Sequence, residues 1–143
     1  MQRDKRILIV DDDDAIRALL HTVLRRRGFH ADDARNGVEA LERLAVHSYA
    51  LILLDLMMPR MSGYEVLEHL ATRARTQRPL VIVLTAGLEP RPLDTTLVIG
   101  TMHKPFDIEL LVDTITGCLT PVNPAAQENV MPLDPAASSD KPN

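Results

Sequence analysis

Residues 7–20 read ILIVDDDDAIRALL. Ile7-Leu8-Ile9-Val10 is an unbroken apolar run without polar alternation, so it reads as a short strand covered on both faces, as in parallel sheets. The run stops at four acids. Asp14 is of the type that caps a helix by accepting from free backbone amides. Ala15, Ile16, Leu19, Leu20, Val23 and Leu24 then recur at helical spacing. Arg25-Arg26-Arg27-Gly28 closes that helix, with cations at the negative end of its dipole and a glycine at the stop. The stretch is therefore strand, acidic turn, helix.

The rest of the chain repeats that order. Residues 29–34 form a weak, edge-like strand, and Asn36-Gly37 is a turn signal. Val38, Ala40, Leu41, Leu44 and Ala45 make a second helix. Residues 49–54 are another buried strand, again ending at an acid, Asp55. A loop with Pro59 and Gly63 leads to a third helix over 64–72, apolar at Val66, Leu67 and Leu70. Residues 80–84 are a fourth strand ending at Thr85, and 98–103 a fifth ending at Lys104-Pro105. Ile108, Leu111, Val112 and Ile115 line a last helix. Strands alternating with helices imply a parallel sheet wrapped on both faces. The expected class is α/β, a flavodoxin-like doubly wound five-stranded parallel sheet of order 2-1-3-4-5. From residue 121 onward five of the ten prolines collect among Ala, Ser and Asn. That composition predicts a folded domain over 1–120 and a disordered tail over 121–143.

Composition narrows the classes. The chain has 143 residues, 45% hydrophobic and 25% charged, which fits one globular domain. A net charge of −4 shows no basic face for general nucleic-acid binding. Cys118 stands alone, so no intrachain disulfide can form, and a reducing compartment is the simplest setting. The first six residues carry no signal-peptide apolar region, and no apolar run approaches the roughly 20 residues of a membrane span. The expectation is a cytoplasmic protein without membrane association.

The polar residues fall at one place. Asp11, Asp12, Asp55, Thr85 and Lys104 each lie just past the C-terminal end of a predicted strand. In a doubly wound sheet those ends line one crevice at the switch in strand order. Three carboxylates there repel one another and call for a cation. A hard divalent ion with oxygen ligands, most simply Mg²⁺, meets that need and pairs readily with phosphate. Lys104 adds a fixed positive charge and Thr85 a hydroxyl donor, the parts that stabilise a transferring phosphoryl group. An aspartate can be the nucleophile and form an acyl phosphate. Singly each residue has a plainer reading: an acidic helix start, a turn aspartate, a surface lysine, strand filler. Four strand ends carrying these residue types together do not. The arginine run is a solvated helix end, Met57, Met58 and Met61 are loop packing, and the five histidines show no ligand spacing.

ILIVDDDDAIRALL, ILLDLMMPRMSGYEVL, VIVLTA and HKPFDIELL resemble, in order, the signature segments of the response-regulator receiver family, over about residues 6–119. The resemblance implies a CheY-like, stand-alone phosphoacceptor of a two-component or phosphorelay system, not an enzyme acting on a separate substrate. Asp55 would be the phosphoacceptor. Asp12 and Asp55 would ligate Mg²⁺ with carboxylates, Met57 with its carbonyl, and Asp11 through a metal-bound water. Thr85 would be the switch hydroxyl, Lys104 the phosphate-pairing lysine, and Lys104-Pro105 a cis peptide. The implied partner is a histidine kinase or histidine phosphotransfer protein; the tail over 121–143 is too short and too polar to hold a DNA-binding module, so the downstream partner is expected to be another protein, with no direct DNA binding. Ile16, Leu19, Ala86, Pro105 and Phe106 match the positions at which relay receivers dock a helical bundle. The alternative is a degenerate receiver that acts as a phosphorylation-independent adaptor. A phosphohydrolase would need a cap insertion for which the chain has no room.

The chain departs from the family between Thr85 and Lys104. That stretch is a few residues shorter, and Gly87, Pro90 and Pro92 interrupt it. Proline inside a helix costs roughly 3 kcal/mol, so the fourth helix of a receiver is expected to be shortened, displaced or irregular. Thr101 stands where the family carries its aromatic switch residue.

Overall fold

The computed structural model describes residues 6–87 and 92–120. The elements run β1 (Arg6–Val10), α1 (Asp14–Arg26), β2 (His30–Ala34), α2 (Gly37–Val46), β3 (Leu51–Asp55), α3 (Gly63–Ala71), a 3₁₀ turn (Arg75–Gln77), β4 (Leu80–Thr85), β5 (Val98–His103) and α4 (Ile108–Leu119). All strand pairs are parallel and the order is β2-β1-β3-β4-β5, as the alternation of strands and helices implies.

The continuous apolar strands are explained by what lies above and below them. Successive side chains of a strand point to opposite faces. Leu8, Val10, Ile52 and Leu54 join Leu44 of α2 and Val66, Leu67 and Leu70 of α3 on one face. Ile7, Ile9, Leu51 and Leu53 join Leu20 and Leu24 of α1 and Leu111, Val112 and Ile115 of α4 on the other. Every apolar residue of β1 and β3 is thus fully buried. Each such side chain contributes about 1.5–3 kcal/mol relative to exposure, so this pair of strands is the rigid centre from which the neighbouring loops project.

Helix starts are set by short polar residues. Asp13, rather than Asp14, caps α1: its carboxylate accepts from the amides of Ala15 and Ile16 at 2.9 and 3.1 Å. Asp14 is the first helical residue and pairs instead with Arg17. Asn36 caps α2, Ser62 and Glu65 form a capping box on α3, and Asp107 caps α4. The strand expected over 49–54 begins at Leu51. Tyr49 and Ala50 are buried ahead of it, and the Tyr49 hydroxyl donates to Asp32 at 2.7 Å.

Between β4 and β5 the described residues contain no helix. Residues 95–97 form a turn in which the Leu97 and Val98 amides donate to the Asp94 carbonyl, both at 3.0 Å. The expected loss of a regular fourth helix is seen to that extent. Pro90 lies outside the described residues, as does the segment 121–143 for which disorder was expected. No helix among the described residues is long and apolar enough to cross a membrane.

Candidate functional site

β1 and β3 are neighbours, β3 pairs with β4, and β4 with β5. Parallel pairing brings their C-terminal ends to one side of the sheet, and with them Asp11, Asp55, Thr85 and Lys104. Asp11 is completely buried, Asp55 and Thr85 are nearly so, and Asp12 is exposed at the rim.

Asp11 is held at every polar atom. Its amide donates to the Ala34 carbonyl at 3.1 Å. Its Oδ1 accepts from the Asp13 amide at 2.8 Å, and its Oδ2 lies 2.8 Å from the Lys104 ammonium. Its carbonyl accepts from Arg17 Nη1 at 2.8 Å. Asp55 Oδ1 accepts from the Met57 amide at 3.1 Å, while Oδ2 stands 3.5 Å from Lys104 Nζ. Lys104 therefore bridges two carboxylates from two strands. Its own backbone is tied across the crevice, its amide donating to the Thr85 carbonyl at 2.7 Å, and the following Lys104–Pro105 peptide is cis. Thr85 Oγ1 exchanges hydrogen bonds of 3.3 Å with the amide and carbonyl of Gly87.

Close packing behind Asp55 explains Gly63. A Cβ there would lie 2.4 Å from the Asp55 carbonyl oxygen and 2.8 Å from Leu56 Cα. Only glycine lets the start of α3 approach the strand end this closely, and the Gly63 amide then donates to the Leu56 carbonyl at 3.0 Å.

The electrostatics follow. Burial, and next the Asp11 charge, push the Asp55 carboxyl up to about 6; Lys104 and the Met57 amide work against this. Burial disfavours the Lys104 charge, yet Asp11 and Asp55 hold its ammonium above the ordinary lysine value. Carboxylate oxygens of Asp11, Asp12 and Asp55 lie within 4.8 Å of one another. One ammonium faces three carboxylates, and all the donors are hard oxygens. That set fits a hard divalent cation. The Met57 side chain is 60% exposed and takes no part in this cluster.

Of the expected docking positions, Ile16 and Phe106 are partly buried against the α1–α4 face of the core. Leu19, Ala86 and Pro105 are exposed. Thr101 is also exposed, on the edge strand β5. Sequence reading had not singled out Arg17, Asp13 or Gly63. A cation one turn into a helix that starts with acids was a usable signal for Arg17; the close approach at Gly63 had none beyond the glycine itself.

A doubly wound sheet with two acids after β1, an aspartate ending β3, a hydroxyl ending β4 and a lysine after β5 defines a receiver. The response regulator receiver domain model matches residues 7–116, and the chain belongs to that family. It is a CheY-like domain of the two-component class. It is 46% identical over 83 residues to the transcriptional regulatory protein SrrA of Staphylococcus aureus, a match covering 58% of this chain and 34% of that protein. Response regulator TrrA from Thermotoga maritima, solved in complex with Mg²⁺-BeF, is 34% identical, with a TM-score of 0.70, covering 80% of this chain and 99% of that one. A CheY-like receiver domain protein from Methanospirillum hungatei is 30% identical, with a TM-score of 0.71, covering 80% and 93%.

These matches correct one expectation. The acidic balance and the polar tail had implied protein partners only and no direct DNA binding. The curated relatives are transcriptional regulatory proteins, and the chain spans about a third of their length. The charge of a receiver describes the receiver alone and carries no information on DNA contact elsewhere in such a protein, so that exclusion does not stand.

Proposed function

We propose that the domain takes a phosphoryl group from a phosphohistidine onto Asp55, with Mg²⁺ in the acidic crevice, and loses it again by hydrolysis. The observation that carries this reading is Lys104 lodged between Asp11 and Asp55, 2.8 and 3.5 Å from their carboxylates. An oxygen of the Asp55 carboxylate attacks phosphorus, the P–N bond breaks, and the imidazole leaves with the bonding pair. The product is an acyl phosphate. Asp11, Asp12 and Asp55, with the Met57 carbonyl, would hold Mg²⁺; when bound, the ion supplies charge neutralisation for the phosphoryl oxygens. Lys104 Nζ can leave its carboxylates to pair with a phosphoryl oxygen. Thr85 Oγ1, bonded to Gly87 at only 3.3 Å, is free to turn its proton toward another. Hydrolysis returns Asp55 and inorganic phosphate. The protein is thus a phosphoacceptor that promotes its own turnover rather than an enzyme acting on a separate substrate. With a phosphohistidine donor it belongs in the cytoplasm.

Incubation with a small acyl phosphate or phosphoramidate and Mg²⁺ should add one phosphoryl mass, and Asp55→Asn should remove that gain. A persistent mass shift in the variant would refute Asp55 as acceptor. No shift in the wild type would leave the domain as a binding adaptor.

A further inference from the structure

Asp12 contributes a carboxylate to the acidic cluster, yet it is exposed at the rim, beside Asp55. The backbone on either side of it is held. The peptide before Asp12 is fixed at the Asp11 carbonyl, which accepts from Arg17 Nη1 at 2.8 Å. The peptide after it is fixed at the Asp13 amide, which donates to Asp11 Oδ1 at 2.8 Å. With both peptide planes anchored, the direction in which Asp12 projects is set. Only the first anchor is made by a side chain outside the acidic turn.

Arg17 is built for that task. Its side chain is 12% exposed although it lies on α1 beside solvent-facing residues. Its Nη2 donates to Asp14 at 2.6 Å, and its Nε lies 3.7 Å from Asp33 of β2. Nη2 is held by Asp14, the Nε side faces Asp33 at ion-pair range, and Nη1 grips the Asp11 carbonyl, a use of the planar fork that a lysine cannot copy. We infer that Arg17 is a positioning residue that sets the divalent-cation affinity of the crevice by fixing the Asp12 backbone. The inference rests on the phosphoacceptor reading of the site, in which Asp12 ligates the ion.

Charge and position pull in opposite directions here, which makes the test decisive. A cation acting through charge alone repels a divalent ion, so its removal would tighten binding. A cation that orients a ligand strengthens binding, and loss of such outer partners costs about 10–100-fold in metal affinity. The full chain and its Arg17→Gln and Arg17→Lys variants are titrated with Mg²⁺ by calorimetry, with phosphorylation by a small acyl phosphate followed at rising Mg²⁺. Arg17→Gln should raise the Mg²⁺ dissociation constant by at least about tenfold, and Arg17→Lys, which keeps the repelling charge without the fork, should raise it at least as much. At saturating Mg²⁺ the phosphorylation rate should return to within about twofold of wild type, the pattern of a lost binding contribution. Exchange of the Asp13 amide, followed without metal, should quicken in Arg17→Gln. If Arg17→Gln does not fold, Arg17→Lys carries the comparison. An unchanged or tighter dissociation constant in a folded variant overturns the inference. Failure of the wild type to bind Mg²⁺ or accept phosphate overturns the underlying reading instead, so the two failures are told apart.

Discussion

The two sides of the sheet's C-terminal edge are built differently. On the β1–β3 side, the crevice is close-packed: Asp11 is bonded at every polar atom, and Gly63 admits nothing larger behind Asp55. On the β4–β5 side, no helix joins the strands among the described residues, Thr101 is exposed on an edge strand, and the register shifts at the far, N-terminal end of β4 between Val81 and Ile82. A shallow groove of about 150 Å³ opens there beside Ile99, Gly100, Thr101 and Met102. The contrast separates two tasks. Phosphoryl chemistry demands fixed positions within fractions of an ångström, whereas a readout needs an element with two arrangements. The sequence features read as departures from the receiver pattern, Gly87, Pro92 and Thr101, lie on the open side.

The largest effect that can break this contrast lies in two glycines. Gly63→Ala drives a Cβ to 2.4 Å from a backbone oxygen, a collision no rotamer relieves. It should destabilise the fold by about 3 kcal/mol, at the upper end for overpacking. A Cβ at Gly100 meets nothing within 4 Å. Gly100→Ala should change stability by less than about 0.5 kcal/mol, and in the stabilising direction if at all, since glycine weakens a strand interior. Urea melts of both variants settle the matter. Similar losses at both positions would mean that the β5 side is packed as tightly as the crevice.

What the sequence discloses follows the same division. β1 and β3 were readable because burial on both faces leaves unbroken apolar runs, and the crevice residues because each follows such a run. The failures are local. Asp14 and Asp13 are indistinguishable as caps in a run of four acids, since the choice depends on where the backbone turns rather than on residue type. Arg17 carried a local signal toward Asp14 that was passed over, and its contact with Asp33 forms only when β1 and β2 pair. Pro92 signalled that the helix before β5 would fail, but a proline says where a helix cannot run and not what replaces it.

A second, somewhat smaller effect sharpens the account of the tight side. Asp55 has its carboxyl raised from 3.8 to about 6 in the metal-free fold, through burial and Asp11. Between those values the folded state holds a proton that the unfolded chain has released. The Asp55 contribution to stability therefore falls as pH rises across this window and stays lost above it. Full conversion of the shift sets an upper bound of about 3 kcal/mol. Asp55→Asn should flatten the slope. Mg²⁺ at 100 times its dissociation constant should add about 2.7 kcal/mol at neutral pH, and Asp12→Ala should abolish that gain. Melting temperatures from pH 4 to 7, with and without Mg²⁺, report all of these. A metal-free slope in the wild type no more negative than in Asp55→Asn would show that Lys104 outweighs Asp11 at Asp55.

The smallest expected effect concerns the open side and decides whether it is the output. Thr85 is nearly buried, but its hydroxyl is engaged only by long 3.3 Å bonds to Gly87. A phosphoryl oxygen on Asp55 offers that proton a charged acceptor, and charge-assisted bonds are about twice as strong as neutral ones. Turning the hydroxyl inward gives up the Gly87 contacts. Gly87 has no neighbour within 4 Å of where a Cβ would stand, so nothing is packed against that position. An aromatic ring at position 101, which the family resemblance implies, could follow the hydroxyl. Thr101 is too small for that, so the strand and its preceding loop must carry the change. Beryllofluoride with Mg²⁺ should therefore alter hydrogen exchange across residues 86–103, by a few-fold in rate, with little change in α1 and α2. Thr85→Ala should still accept phosphate at Asp55 and lose most of that difference. Equal exchange in 86–103 before and after activation would show that the open side is static. Protection that instead spreads through α1 would make the tight side itself the moving part.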